Sequence, residues 1–449
     1  MGCYPCATTM TCSYAIPRVL HFSLFAGAAL AVGCGDDTSA QTDASSTTGS
    51  PASSGTDDTG EDPPTTAVTD SPTSGDTTAD TSDGTSTGVV STSSESGSES
   101  GGESTTGEPD GWLPPMCRSV TGTGAVTFSF DQGATVAPMD QMITPVHYTF
   151  GLVALGKPGA MLAGSGEKLL ASSDAGCSWH EIGPGSGPNT PAMRLRAAGD
   201  TRAYAFGDND SVIVRVDDEV ITKLTSPAGQ DGIVGLGVDP QDPDHVRIGD
   251  SAGRLWDSTD AGVMWAPAGI AAINDSLAYR AAFDPQDLDH ALFGVLGDGV
   301  LVSHDGGSSW DPASGLGPGS ANGFNLIVSP VDGDVVWLEG LDLEEPDESM
   351  SRHIYRSEDG GLVFTAVIEA NEATLYNGNH LFAHPTDVDV LYFVYGASFA
   401  NYGTDLYRYD YGTDAITKTH NKWHDTVIEF LPGDPSVIYL GLSIEPGGG

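Results

Sequence analysis

An all-β fold, one β-propeller of about seven four-stranded blades, is predicted by three features of this 449-residue chain. Two short patterns recur, they recur at a spacing near 45 residues, and from Gly111 to Gly449 no convincing amphipathic helix interrupts the short strands between them. The first pattern is S-x-D-x-G-x-x-W. It occurs at Ser172, Asp174, Gly176 and Trp179; at Ser258, Asp260, Gly262 and Trp265; at Ser303, Asp305, Gly307 and Trp310; and, with Phe in the last place, at Ser357, Asp359, Gly361 and Phe364. The second pattern opens on Asp-Pro. Asp239-Pro240-Gln241-Asp242-Pro243-Asp244 returns 45 residues on as Asp284-Pro285-Gln286-Asp287-Leu288-Asp289, Ser329-Pro330 follows after another 45, and looser copies stand at His384-Pro385 and Leu431-Pro432.

An all-β unit repeated at this period is the signature of propeller blades. Blades beginning near 149, 192, 232, 277, 322, 378 and 426 give seven, with six as the alternative count. The interval from Asp174 to Asp260 holds one blade without the first pattern, supplied by Ala203–Gly207 and Val212–Val216. Leu406–Asp410 belongs to a blade whose copy has decayed. The last unit has only about two strands before the chain stops, so the N-terminal strands around Ala125–Phe130 and Met142–Phe150 are expected to complete it, which removes a free sheet edge.

The chemistry of the first pattern is that of a turn. Asp and Ser side chains accept hydrogen bonds from backbone N–H groups one or two residues on, Gly supplies positive φ, and the Trp buries a large ring that pins the hairpin. In these positions the motif resembles the Asp-box, or bacterial neuraminidase (BNR), repeat of the sialidase and sortilin-like superfamily. In that family it joins the third and fourth strands of a propeller blade. The resemblance implies a structural role for these residues and does not name a function.

The chain upstream is organised differently. An apolar run from Val19 to Val32, preceded by Arg18, is too short to span a bilayer and suits a signal-peptide h-region. It ends Leu30-Ala31-Val32-Gly33-Cys34, which resembles a bacterial lipobox. That resemblance implies residues 1–34 as a lipoprotein signal, Cys34 as the lipidated N-terminus, and, with Gly35 following, an outer-membrane or cell-surface location. A plain secretory signal is the alternative, and either Met1 or Met10 serves as the start. Residues 35–110 are rich in Ser, Thr, Gly, Asp, Glu and Pro and contain no Lys or Arg. They are expected to form a disordered acidic stalk, since so few apolar side chains cannot offset the entropy of ordering. The Ser/Thr density permits O-glycosylation.

The formal charge of −45 against only 17 Lys+Arg argues against nucleic acid as a partner, since neutralising phosphate needs a basic surface. In the folded region 111–449, Cys117 and Cys177 remain as a pair, either a disulfide or two thiols. The two loops longest on the face away from the recurring turns are Glu339–His353 and Tyr395–Asp405. They and the segment between them offer Glu344, Glu345, Tyr376, Phe399 and Tyr402 as a candidate ligand surface.

Three kinds of chemistry are weighed against this. Sialidases need an arginine triad, and Arg247, Arg356 and Arg408 fall in strand positions with no Arg-Ile-Pro element in the folded region, so sialidase activity is not expected. Xyloglucanase-type propellers place two carboxylates across a cleft between two rings, and this chain has one. No acid/base pair can be nominated, although a glycoside hydrolase on a single ring stays the rival to a binder. Calcium through Asp242 with Asp244, or Asp287 with Asp289, is weighed against a turn role, which repetition favours; His380 with His384 and His420 with His424 lack the helix that would make their spacing a zinc site. The expectation is therefore a monomeric, lipid-anchored propeller without a cofactor, recognising an extracellular protein or glycan without catalysis.

Overall fold

The computed structural model describes residues 111–442 apart from 118–120, 123–125, 137–148, 166–167, 185–192, 208–209, 274–275, 318, 377–379, 397–402 and 422–424. The lipobox with Cys34, the stalk, Phe399, Tyr402 and His424 lie outside the described residues.

Seven antiparallel sheets form the blades of a ring, and no helix occurs among the described residues. The innermost strands, one per blade in chain order, are Thr149–Ala154, Met193–Ala197, Ile233–Val238, Ala278–Phe283, Ala321–Val328, Leu381–Ala383 and Asp425–Phe430. In blades one to six each following strand pairs outward on the one before it. The second strands are the most apolar because they lie between neighbouring blades with both faces covered. Ala291–Val295 in blade four, for example, is buried along its whole length. The core is accordingly a series of inter-blade layers, such as Leu292, Val302, Val336, Leu338 and Phe364 between blades four and five.

The seventh blade joins the two ends of the chain. Val126–Ser129 pairs with Ile438–Leu442, which pairs with Asp425–Phe430. The innermost strand of this blade packs against that of the first and closes the circle. Part of the expected closure is corrected. Thr149 and Phe150 do not belong to the seventh blade but begin the innermost strand of the first, because the strand they lead pairs with Met161–Ser165, with Leu152 packed toward blade seven and Val153 toward blade two. Residues 142–148 lie outside the described residues. A short strand, Thr121–Gly122, adds in parallel to the outer strand Ser178–Pro184 of blade one. Beside it Cys117 and Cys177 form a disulfide with their Cα atoms 5.6 Å apart.

The repeated turn has one geometry throughout. In blade one Ser172 Oγ donates to Asp174 Oδ1 at 2.9 Å and accepts from the Gly176 N–H at 2.9 Å, while the Ser178 N–H and hydroxyl both donate to Asp174, at 2.8 and 2.6 Å. The Ser–Asp, Gly–Ser and backbone-to-Asp bonds recur at Ser258–Asp260, Ser303–Asp305 and Ser357–Asp359, and the hydroxyl bond recurs at Ser309, whereas Met264 and Val363 hold that place in the other two copies. The residue after Asp takes positive φ each time, 56° at Ala175 and 60° at Ala261, so Gly306 and Gly360 at this place relieve strain that alanine tolerates. The aromatic anchors differ more than the turns do. Trp179 and Phe364 are buried, whereas Trp265 and Trp310 are only partly covered, the latter lying against Phe293 with ring centroids 5.2 Å apart.

A fifth copy stands in the closing blade, unrecognised in the sequence. Ser129 Oγ donates to Asp131 Oδ1 at 2.9 Å and accepts from the Gly133 N–H at 2.8 Å, and the Thr135 N–H and hydroxyl donate to Asp131 at 2.7 Å. Gln132 takes a φ of 59°. Val136 occupies the aromatic place and packs beneath blade six, against a cluster that includes Leu406 and Tyr392.

Candidate functional site

The second recurring turn, the Asp-Pro turn between strands one and two, uses its carboxylates internally and between blades. Asp239 and Asp284 accept the N–H groups of Gln241 and Gln286 at 2.8 and 2.7 Å, and Asp242 and Asp287 accept those of Asp244 and Asp289 at 3.1 and 3.0 Å. The last Asp of the turn receives an arginine from the preceding blade: Arg202 bonds Asp244, Arg247 pairs with Asp289 at 3.1 Å, and Arg356 pairs with Asp389 at 2.9 Å. Arg356 is further held over the rings of Trp337 and Tyr411. These carboxylates, considered above for calcium, are turn and inter-blade groups, and no set of three or more His, Cys, Asp or Glu is placed to hold a metal among the described residues.

The acidic loop over blade five is ordered by its own backbone. Asp342 accepts the Glu344 N–H at 2.8 Å, Glu345 accepts the Asp347 N–H at 3.1 Å, and Asp347 accepts the Ser349 N–H and hydroxyl. Tyr376 is 40% exposed and its ring lies 5.9 Å from that of Tyr395. Partial burial, with a smaller contribution from the charge of Glu339, raises the Tyr376 phenol above its ordinary value, so it is neutral at physiological pH.

A concavity lies elsewhere, along the axis of the ring. The innermost strands enclose a cavity of about 330 Å³ whose walls include Leu236, Phe283, Ile327, Phe382 and Val427. Into it come Arg194 and Arg196 from blade two, Arg280 from blade four, His380 at the start of blade six and Glu429 from blade seven. A strand presents residues i and i+2 on one face, so Arg194 and Arg196 reach the axis together while Leu195 packs back into the layer between blades one and two. Arg194 Nη2 lies 3.0 Å from His380 Nε2, and Arg280 Nε donates to Asn325 Oδ1 at 2.9 Å. Arg196 lines a second cavity as well, of about 280 Å³, on the side of the Asp-Pro turns at Pro240 and Pro285.

Electrostatics in the channel are unusual for so acidic a chain. Enclosure lowers the Arg196 guanidinium to about 10, reinforced by the charges of Arg194 and Arg280 and opposed by Glu429, which leaves it cationic at neutral pH. Arg196 is exposed at the channel wall. Burial pushes the Glu429 carboxyl up to about 8, against the pull of the Phe430 and Ala154 N–H groups and of Arg196. A carboxyl raised on folding binds its proton more tightly in the native state, so native stability from this group is present at low pH and is lost as pH rises from the ordinary carboxylate range toward 8. Glu429→Gln removes that loss. Relative to the unaltered chain its melting temperature is expected to rise progressively from pH 5 to pH 8, as followed by tryptophan fluorescence; an unchanging difference across that range would show that Glu429 is ionised throughout.

No protein-family profile matches the chain. Among curated proteins it is 48% identical over 343 residues to the dispase autolysis-inducing protein of Streptomyces mobaraensis, a match covering 74% of this chain and 90% of the relative. Among solved structures it is similar to YCF48 from Cyanidioschyzon merolae, at 13% identity and a TM-score of 0.47 over 66% of this chain and 96% of that one. It is also similar to an ancestral GH74 enzyme, at 13% identity and a TM-score of 0.48 over 68% of this chain and 45% of that one. At these identities and scores the structural likenesses bear no argument about function.

Proposed function

The chain belongs to the family of the dispase autolysis-inducing protein, and from that premise we propose that it is a non-catalytic β-propeller that binds a protease and leads it to cleave itself. The observation that carries this is the identity with that relative over nine-tenths of its length. A binder suffices for such an effect. A protein that binds the opened conformer of a protease better than the closed one raises the open population, and cleavage by neighbouring copies draws that population off irreversibly. The ring suits the task because its blades are fixed by closure and by inter-blade arginines, so its own backbone offers few openings to the partner.

The proposal includes the setting inferred from the sequence: repeats of the Asp-box kind as scaffold, Cys34 as lipid anchor at an outer membrane or cell surface, and residues 35–110 as a tether. The protease-facing surface is assigned to the loops over blades five and six, with Glu344, Glu345, Tyr376, Phe399 and Tyr402. The folded region has a net charge of about −30, which steers cationic partner surfaces toward it and is screened by salt.

The test is to incubate dispase with and without the purified chain and to follow intact protease by mass spectrometry. Intact dispase should disappear several-fold faster with the chain present, the propeller should stay uncut, and inactivated dispase should be retained on the immobilised chain at low salt. An unchanged dispase lifetime would sink the proposal. Sugar released from polysaccharides by the same preparation would favour the rival, a glycoside hydrolase.

A further inference from the structure

We propose that the return arm of the blade-three turn, Val263-Met264-Trp265, is an open strand-addition site that takes an uncharged, extended segment of a partner protein. The same arm is already covered from within the chain in two other blades. In blade one Thr121–Gly122 lies parallel to it, with Thr121 opposite Ser178 and Gly122 opposite Trp179. In blade five Ser314 lies parallel to Val363, its N–H donating to the Leu362 carbonyl and its carbonyl accepting from the Phe364 N–H, both at 2.9 Å. Met264 holds the place of Ser178 and Val363 in blade three. There, among the described residues, neither the Val263 carbonyl nor the Trp265 N–H has a backbone partner.

The arm is held ready for pairing. The Met264 N–H donates to Asp260 Oδ1 at 2.8 Å, and Arg215 Nη1 of blade two donates to the Ala261 carbonyl at 3.0 Å, so the arm has little freedom left to lose when a strand adds. Its chemistry selects the occupant. Val263 and Met264 are 62% and 72% exposed, Ile270 farther along the outer strand is 64% exposed, and no charged residue occurs from Ala261 to Ile273. Natural sheets blunt their free edges with charge. The outer strands of blades one, two, four, five and six follow that rule with Glu181, Lys223, Asp311, Glu369 and Lys418, and blade three does not. A charged segment finds no counter-charge on such an edge, which favours an uncharged one with apolar side chains to cover Val263 and Met264. A second copy of this chain is disfavoured, because two folded regions of about −30 each repel one another. Pro267, two residues beyond Trp265, has no N–H to offer, so the added ladder is short.

The experiment titrates the intact chain in a calorimeter with the peptide acetyl-Thr-Val-Thr-Val-Thr-amide, with the same peptide N-methylated at every amide, and with a form carrying Glu in place of both valines. The first should bind at one site per chain, and the other two about tenfold or more weakly. Met264→Glu, a change at a well-exposed side chain, should weaken binding of the first peptide by about tenfold. Val363→Glu should leave binding unchanged, because Ser314 already fills that place in blade five. A second measurement uses the unaltered chain: the Trp265 amide, followed by hydrogen exchange and mass spectrometry, should exchange several-fold more slowly at saturating peptide. Absence of both heat and amide protection, equal binding of the N-methylated peptide, or undiminished binding by a folded Met264→Glu variant would overturn the proposal. So would a concentration-dependent dimer of the chain alone that Met264→Glu abolishes, since the occupant would then be a second copy. The site goes beyond the protease reading, and dispase takes no part in these measurements, so they stand whatever becomes of it.

Discussion

Cys117→Ser lowers the unfolding free energy by about 4 kcal/mol, the value expected for opening a closed loop of this size in the chain-entropy account of disulfides. The bridge spans 60 residues of sequence and joins the segment ahead of the ring to the repeated turn of blade one, where Cys177 lies between Gly176 and Ser178. What it holds is more than one contact. Trp112 Nε1 donates to the Leu155 carbonyl at 3.1 Å, Trp112 and Cys117 lie against the blade-one cluster of Met161, Leu170 and Trp179, and Thr121–Gly122 covers the outer edge of the same sheet. With the bridge gone these contacts must hold the segment against its own chain entropy. Guanidinium unfolding of the two proteins, with and without reductant, measures the difference. A change under about 1 kcal/mol would mean that the segment docks without help from the covalent link.

Gly235→Val is expected to cost about 3 kcal/mol or more, because it overpacks a contact that has no side chain able to move. A Cβ on Gly235 would stand 2.0 Å from the Ala281 carbonyl oxygen and 2.7 Å from its carbon, both backbone atoms of the innermost strand in the next blade. Blades three and four would have to separate, and the strain would pass around a closed ring that cannot open at one seam without disturbing the others. Thermal melting and soluble yield report it, with Gly111→Ala as the reference change, since nothing lies within 4 Å of that position. Melting within a few degrees of the unaltered chain would show that neighbouring blades slide apart more easily than their backbone packing implies.

The blades were legible because each is specified locally. Starts read at 149, 192, 232, 277, 322, 378 and 426 compare with innermost strands beginning at Thr149, Met193, Ile233, Ala278, Ala321, Leu381 and Asp425. Proline and aspartate fix one turn and serine and aspartate the other, so a pattern of eight residues carries enough chemistry to be recognised alone. The turn at Ser129 was missed for the converse reason. Its hydrogen-bonding residues Ser129, Asp131 and Gly133 were all present, but Val136 replaces the aromatic that makes the motif conspicuous. The channel was less legible still. Arg194 and Arg196 stand on a strand of blade two, Arg280 on one of blade four and His380 at the start of blade six; only the curvature of the ring brings them to one axis. The signal that was available is a pair of arginines at i and i+2 on an innermost strand of a chain with a formal charge of −45.

The pairing of Val126–Ser129 with Ile438–Leu442 sets the order in which the protein can come into being. A ribosome makes the first of these strands before the six intervening blades and the second after them, so the first strand waits through the synthesis of six blades for its partner. Each intervening blade pairs with its own neighbours in sequence and can condense as it emerges, whereas the final seam is the contact of greatest sequence separation and forms last. Until then the nascent chain is an open arc with two bare sheet edges, and it is in that interval, rather than in the finished ring, that the molecule is exposed to mispairing with copies of itself.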